Sequence, residues 1–380
     1  MNAARQLRAR LVVWVVLGCG VVAALHLGKA AIATPLVQAD LGVDLAGAGW
    51  LTGIFAVLGL LGGAAAGAVV AAVGDRRALL LGLGVTAVAG VAGASAPSFA
   101  LLLISRLLEG LGFLLIIVAG PAILERLTTG AARDSAFSLW SCFMPSGMAL
   151  AMVAGPLFQT WQGLWWTGSA VAVIAAVAVG CCIPAGVSSG IPGRLLGNIR
   201  RVLFSRASVL LAVGFALYSL MFFALFSFLP VLLMERMDIS YRSAGLLSAL
   251  ASVVNVSGNL AAGYLLTRGA GRDSLILFAS GVMGASGIGI FLGWFEPQAT
   301  FLLCLLFSAV GGLIPATLLA SAPLAARETF LVPIAVGLMM QGSNLGQLLG
   351  PVVVGGVTAA FGWNAAGPVV LLAALAAGVT

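Results

Sequence analysis

The chain holds a single histidine and a single lysine, and they stand three residues apart: His26 and Lys29, inside an apolar run from Leu11 to Val37. That spacing puts both on one face of a helix. A lysine so far from either end of the run cannot stretch to water. Holding it there costs about 3 kcal/mol on insertion scales, so a partner or water must reach it. Arg106 and Glu109, also three apart in an apolar run, are the other strongly ionisable pair of this kind. Counted at 1.5 Å per residue, Lys29 and Arg106 lie roughly 12 Å below the outer ends of their runs, with His26 and Glu109 one turn deeper. Two cations at one level and two titratable groups at the next describe an anion site above a proton switch. In that reading Lys29 and Arg106 bind substrate while Glu109 and His26 carry the proton. The bland alternative is a static network of Lys29, Arg106 and Glu109 locking two helices, with Arg106 and Glu109 neutralising each other. In the functional reading Lys29 is the cation with the least obvious permanent partner.

The second half of the chain has no ionisable residue within an apolar run. Its polar content there is Tyr218, Asn255, Asn259, Gln341, Asn344 and Gln347. Asn255/Asn259 and Gln341/Asn344 have same-face helical spacing, as substrate hydrogen-bonders or as interhelical bridges of the kind common in membranes. Tyr218, Asn255, Gln341 and Asn344 are the candidate substrate contacts from this half. Met144, Met148 and Met152 recur every four residues; thioethers are soft copper(I) ligands, but adaptable packing explains them more simply. No metal or cofactor is expected. Paired glycines such as Gly62-Gly63 lack the strand-turn-helix context and lysine of a phosphate loop.

The elements that must position these residues are apolar helices. Hydrophobic residues make up 62% of the 380 and charged residues only 8%, with a mean hydropathy of +1.17, which excludes a soluble globular domain. The 51 glycines suit helices that pack backbone to backbone in lipid. At about 20 residues per crossing, twelve spans are expected, at 11–37, 48–72, 78–96, 98–124, 135–158, 164–184, 207–234, 242–267, 274–294, 298–321, 330–357 and 363–380. The first run is too long for the apolar core of a signal peptide and is kept as a span.

The net charge is +7, but the arginines are scattered between apolar runs, unlike a nucleic-acid-binding face. With the N-terminus cytoplasmic, fourteen arginines fall in inside segments and only Arg236 and Arg242 outside, a strong positive-inside bias. The five cysteines have neither disulfide nor zinc spacing. Pro35/Pro230, Gly67/Gly263, Pro121/Pro315 and Pro156/Pro351 recur in order at offsets of 195, 196, 194 and 195. Four matches at nearly one offset describe two parallel six-helix repeats. The division is residues 1–184, a basic cytoplasmic linker 185–206, and residues 207–380.

Twelve spans as six plus six, parallel repeats and a basic central loop resemble the major facilitator superfamily over the whole chain. The segment Gly67 to Gly74-Asp75-Arg76-Arg77 resembles the family's glycine-and-arginine gating loop between spans 2 and 3, although Ala71 and Ala72 stand at its usual Asp and Arg positions. The second half repeats it with Gly263, Arg268 and Arg272. Ser105-Arg106-Leu-Leu-Glu109-Gly110 resembles the arginine-bearing motif of span 4, and Gly155-Pro156 part of the antiporter motif of span 5. Around Gly311-Gly312-Leu-Ile-Pro315, Met340-Gln341-Gly342 and Gly350-Pro351 there is a weaker resemblance to the cyanate and nitroimidazole permease branch.

The resemblance implies an all-α membrane protein of twelve helices whose spans 1, 4, 7 and 10 line a central cavity, and a secondary transporter rather than an enzyme. The expected partners are a small-molecule substrate, protons and the lipid bilayer, with no nucleic acid, and the expected state is a monomer in the inner or cytoplasmic membrane. The reading taken forward is transport of a small anion coupled to protons. Export of neutral or cationic compounds, copper import and a non-transporting scaffold are the alternatives.

Overall fold

The computed structural model describes residues 3–128, 136–137, 139–140, 142–185, 200–326 and 332–379, and among them it contains helices and no strand. Lipid offers no water to unpaired backbone groups, so a chain this apolar must close its hydrogen bonds inside helices. In the first half these are α1 (Ala3–Leu41), α2 (Leu45–Gly53), α3 (Val57–Val73), α4 (Asp75–Ala94), α5 (Phe99–Leu127), α6 (Phe143–Ala154) and α7 (Trp161–Cys182). The second half contributes α8 (Arg206–Phe226), α9 (Leu229–Met237), α10 (Tyr241–Thr267), α11 (Arg272–Leu292), α12 (Pro297–Gly311), α13 (Leu313–Ala326), α14 (Val332–Phe361) and α15 (Ala366–Ala377). Among the described residues ten helical stretches are long and apolar enough to cross a membrane, and two shorter apolar ones, Phe143–Leu157 and Trp363–Ala377, supply the other crossings. Fraying at the helix starts is limited by side-chain caps. Asp44, Ser98, Thr160, Ser205 and Ser240 each accept a backbone N–H three residues on.

Among the described residues several spans expected to be continuous are interrupted, including the second, seventh and tenth. The second tightens into a 3-10 turn at Ile54–Ala56 between α2 and α3. The seventh breaks at Ser227-Phe228, so that Pro230 sits in the first turn of α9, a position that needs no N–H. Its repeat mate Pro35 lies inside an unbroken α1. The tenth breaks at Gly312, between α12 and α13. Most of the expected linker 185–206, and Arg133, Arg194 and Arg327 of the charge count, lie outside the described residues.

Glycines set how closely the helices cross. A Cβ on Gly28 would stand 2.9 Å from Met148 Cα, and one on Gly147 would stand 2.8 Å from Leu25 N, so α1 and α6 touch backbone to backbone. This contact fixes the face of α1 that carries Gly28 against α6 and turns His26 and Lys29 away from it. On α14, Gly342, Gly346 and Gly350 lie against the carbonyl oxygens of Ala212, Ala216 and Leu220 of α8, a small-residue stripe of the membrane-packing type. The two halves meet along α2 and α3 against α14, where Gly53 faces Leu348 and Gly63 faces Gln341. They meet again where the Tyr241 hydroxyl donates to the Ile32 carbonyl at 2.9 Å. Met148 and Met152 are buried in the apolar core, which is what the bland reading of that stripe expected.

Candidate functional site

His26 and Lys29 come from the middle of α1, Arg106 and Glu109 from the first half of α5, and all four side chains are completely buried. Lys29 Nζ donates to Glu109 Oε1 at 2.5 Å and to His26 Nδ1 at 3.0 Å. Arg106 Nη1 donates to the other oxygen of Glu109, Oε2, and to the His26 carbonyl at 2.8 Å. Arg106 Nε donates to the Leu51 carbonyl at 3.3 Å, an acceptor set in the turn before the 3-10 break that follows α2. His26 Nε2 donates to the Gly168 carbonyl of α7 at 3.1 Å.

That last bond settles how a neutral His26 is protonated. A carbonyl only accepts, so the proton is on Nε2, and Nδ1 is left to accept from Lys29. The 3.2 Å approach of His26 Nδ1 to Glu109 Oε1 is then a hydrogen bond only when the imidazole is doubly protonated.

Two aromatic faces close the site. Lys29 Nζ lies 4.5 Å from the centroid of Trp165, and Arg106 Cζ lies 4.5 Å from that of Phe55, both within cation–π range.

This geometry corrects two expectations. The four side chains do not form two levels, and Lys29 does not lack a partner. Helical side chains lean toward their own N-terminus, and α1 and α5 run in opposite directions. Lys29 therefore leans toward His26 while Glu109 leans toward Arg106, and the two pairs meet midway. Glu109 serves both cations at once. The hydrogen-bond and ring partners of the four all come from the first half of the chain: Leu51, Phe55, Trp165, Gly168 and one another.

The candidate contacts of the second half lie elsewhere. Tyr218 is buried in an aromatic run of α8, its ring 6.1 Å from Phe215 and 5.9 Å from Phe222. Asn255 Nδ2 donates to the Ser308 carbonyl at 2.9 Å, while Ser308 Oγ donates back to the Ala251 carbonyl at 2.6 Å. Asn255 thus bridges α10 and α12, and Asn259 Nδ2 donates to it in turn. Gln341 Nε2 donates across the seam between halves to the Leu60 carbonyl at 3.1 Å. Asn344 Nδ2 bonds back to the Met340 carbonyl on its own helix, with its amide packed against Gly59.

In the expected gating loop, Gly74 turns the chain between α3 and α4 at φ 92°, a conformation that glycine adopts without strain. Asp75 accepts two bonds from Arg126, at 2.6 Å from Nε and 3.1 Å from Nη2. Arg76 Nη2 donates to the Gly180 carbonyl at 2.7 Å. The loop's acidic partner is therefore Asp75, four residues beyond the family's usual position. Gly67 lies in α3 with open space on its Cβ side, and Arg77 is exposed.

Sequence reasoning missed Trp165, Phe55, Arg126 and the Leu51 and Gly168 carbonyls. Arg126 carried a readable signal, as the basic residue in the last turn of α5 on the same side as Asp75. The others carried none, because an apolar ring or a backbone oxygen is not marked by residue type.

The Major Facilitator Superfamily profile matches residues 16–330. The 3-(3-hydroxy-phenyl)propionate transporter of Escherichia coli (strain K12) is 29% identical over 279 residues, 69% of this chain and 66% of the relative. The matched region thus covers just under two thirds of that relative's length. Among solved structures, a D-xylose-proton symporter superposes with a TM-score of 0.73 at 15% identity, covering 97% of this chain and 96% of that one. A human organic anion transporter superposes with a TM-score of 0.71 at 19% identity, covering 98% and 99%. A bacterial homologue of the human lysosomal transporter Spinster, inward-facing and occupied, gives 0.74 at 19% identity, covering 92% and 82%. At these identities the superpositions establish the fold. With the profile spanning well over half of its length, the chain belongs to the Major Facilitator Superfamily.

Proposed function

We propose that this transporter moves a small organic anion together with protons, by alternating access between residues 1–184 and 207–380, with the N-terminus and the 185–206 linker in the cytoplasm. The observation that carries the reading is the charge balance of the buried cluster. Lys29 and Arg106 bring two positive charges, Glu109 one negative, and His26 is neutral in the Nε2–H form, so the cluster holds one surplus positive charge with no exposure to water. An uncompensated buried cation is costly in lipid, and a docking anion offsets it.

The proton side of the reading rests on contact. Lys29 Nζ, His26 Nδ1 and Glu109 Oε1 lie within 3.2 Å of one another, so a proton passes among them without a long side-chain movement. Glu109 and His26 are its carriers, and Lys29 and Arg106 hold the anion. Tyr218, Asn255, Gln341 and Asn344 form the neutral polar surface contributed by the second half. The segment from Gly67 and Gly74 through Asp75, Arg76 and Arg77 acts as the gating loop. The resemblance to a transporter whose name specifies an aromatic propionate, and the shared fold with an organic anion transporter, favour a carboxylate as the anion.

The test is uptake of labelled 3-(3-hydroxyphenyl)propionate and simpler carboxylates into proteoliposomes holding the purified protein. Accumulation that follows an imposed pH gradient is expected. Absence of carboxylate flux, with proton-driven movement of cationic or neutral compounds in its place, overturns the anion reading in favour of an exporter.

A further inference from the structure

Arg106 Nη2 and Trp165 Nε1 are buried N–H donors with no hydrogen-bond partner among the described residues, and unlike Arg76 Nε, which shares that lack in the first turn of α4, they lie inside the buried cluster. They are neighbours, with Arg106 Cζ 5.9 Å from the Trp165 ring. Their side chains are fixed from other directions. Arg106 is held through Nε and Nη1 by Leu51, His26 and Glu109. Trp165 is held by its edge-on contact with Trp161 at 5.5 Å and by Lys29 over its face. A Cβ on Gly93 would stand 2.8 Å from Trp165 Nε1, so glycine at this position is what lets the indole edge pack this closely on α4. A buried polar group without a hydrogen bond is costly, and two side by side next to a surplus positive charge call for an acceptor that carries negative charge.

We infer that Trp165 is a ligand-binding residue of the transporter, and that its Nε1–H and Arg106 Nη2 together take the head of a monovalent anion. With Lys29 and Arg106 set against Glu109, the cluster carries one surplus positive charge, which a single negative charge offsets. The class of ligand is therefore a monocarboxylate rather than a dicarboxylate or a phosphate ester. This inference rests on the proposed anion reading and adds to it a donor on α7 that residue type and spacing did not mark.

Trp165→Phe removes the N–H and keeps a ring over Lys29. The purified full chain and the variant are titrated with 3-(3-hydroxyphenyl)propionate, benzoate and succinate, following ligand-induced thermal stabilisation. Wild-type protein is expected to respond to the two monocarboxylates and not to succinate. Trp165→Phe should bind them about tenfold more weakly, the scale of one lost hydrogen bond. Its ligand-free unfolding temperature should be unchanged or raised, because an unpartnered donor has gone. On wild-type protein, one indole N–H resonance should shift on adding benzoate, a readout that needs no variant. Wild-type affinity in Trp165→Phe, or no indole shift on saturation, overturns the role of Trp165 while leaving the anion reading standing. No response of the wild-type protein to any carboxylate overturns both.

Discussion

Lys29 Nζ and Glu109 Oε1 stand 2.5 Å apart on helices α1 and α5, 80 residues apart in sequence and out of reach of water. Two antiparallel helices lean their side chains toward each other's level, and one carboxylate thereby answers two cations. Residues 26, 29, 106 and 109 act as one electrostatic unit, so the effect of changing any one depends on what charge remains.

Glu109→Gln is expected to be the most damaging single change to the fold, because it leaves Lys29 and Arg106 buried side by side with no anion. Breaking a buried pair by removing one partner costs about 3–5 kcal/mol. Adding Lys29→Met to that variant removes one of the two stranded charges and should recover a sizeable part of the loss. Thermal unfolding in detergent measures both. A Glu109→Gln protein as stable as wild type would show that the cluster is reached by water.

The α1–α6 crossing predicts a contrast between two glycines. Gly147→Ala drives a methyl group against Leu25 N and the Ala24 side chain, and overpacking of this kind costs about 1–3 kcal/mol. Gly67→Ala enters open space and should leave the unfolding temperature within a degree or two. Equal behaviour of the two would mean that α1 and α6 are not in backbone contact.

Asp75 and Arg126 form a two-bond pair at the turn between α3 and α4, and with Arg126 about a third exposed its worth is about 1 kcal/mol or less after solvent screening. Asp75→Arg should lower transport by loosening the loop from α5, and the exchange Asp75→Arg with Arg126→Asp should restore part of it. Failure of the exchange to restore any transport, with normal insertion, would assign the loop's role to Asp75 itself rather than to the pair.

Much of the fold was legible because bilayer thickness dictates helix length and turns reveal themselves by composition. Offsets near 195 likewise announced the repeats. The breaks at Ile54–Ala56, Ser227-Phe228 and Gly312 were not legible, because 3-10 turns and broken helices keep the same apolar composition as the helices they interrupt. For the site, His26, Lys29, Arg106 and Glu109 were marked by their cost in lipid, and the structure brings all four together. Their arrangement was not readable from depth along each helix, because side-chain lean moves a long side chain by as much as one turn. Trp165 stayed hidden among eight tryptophans; only an indole nitrogen without a partner sets it apart.

The proposed orientation is tested by single cysteines in a cysteine-free background. A cysteine at Ala185 should resist an impermeant thiol reagent added outside intact cells, and one at Gln298 should label. The reverse pattern would place the N-terminus outside and invert the direction in which the transporter faces.

Lys29 bears most directly on the proposed function. Removing its charge leaves Arg106 and Glu109 as a balanced pair, so Lys29→Met should fold with a loss of no more than about 2 kcal/mol, well below that of Glu109→Gln. What disappears is the surplus positive charge that an anion would offset. Carboxylate binding should therefore fall by about 2 kcal/mol or more, the scale of a charge-assisted hydrogen bond. Lys29→Arg should keep part of the affinity, since the charge survives while a planar fork replaces a compact ammonium. Binding measured by titration calorimetry on folded variants separates this from a fold defect. If Lys29→Met bound and moved carboxylates at wild-type rates, the buried cluster would be a helix-to-helix lock, and the anion site would have to be sought in the second half, near Gln341 and Asn344.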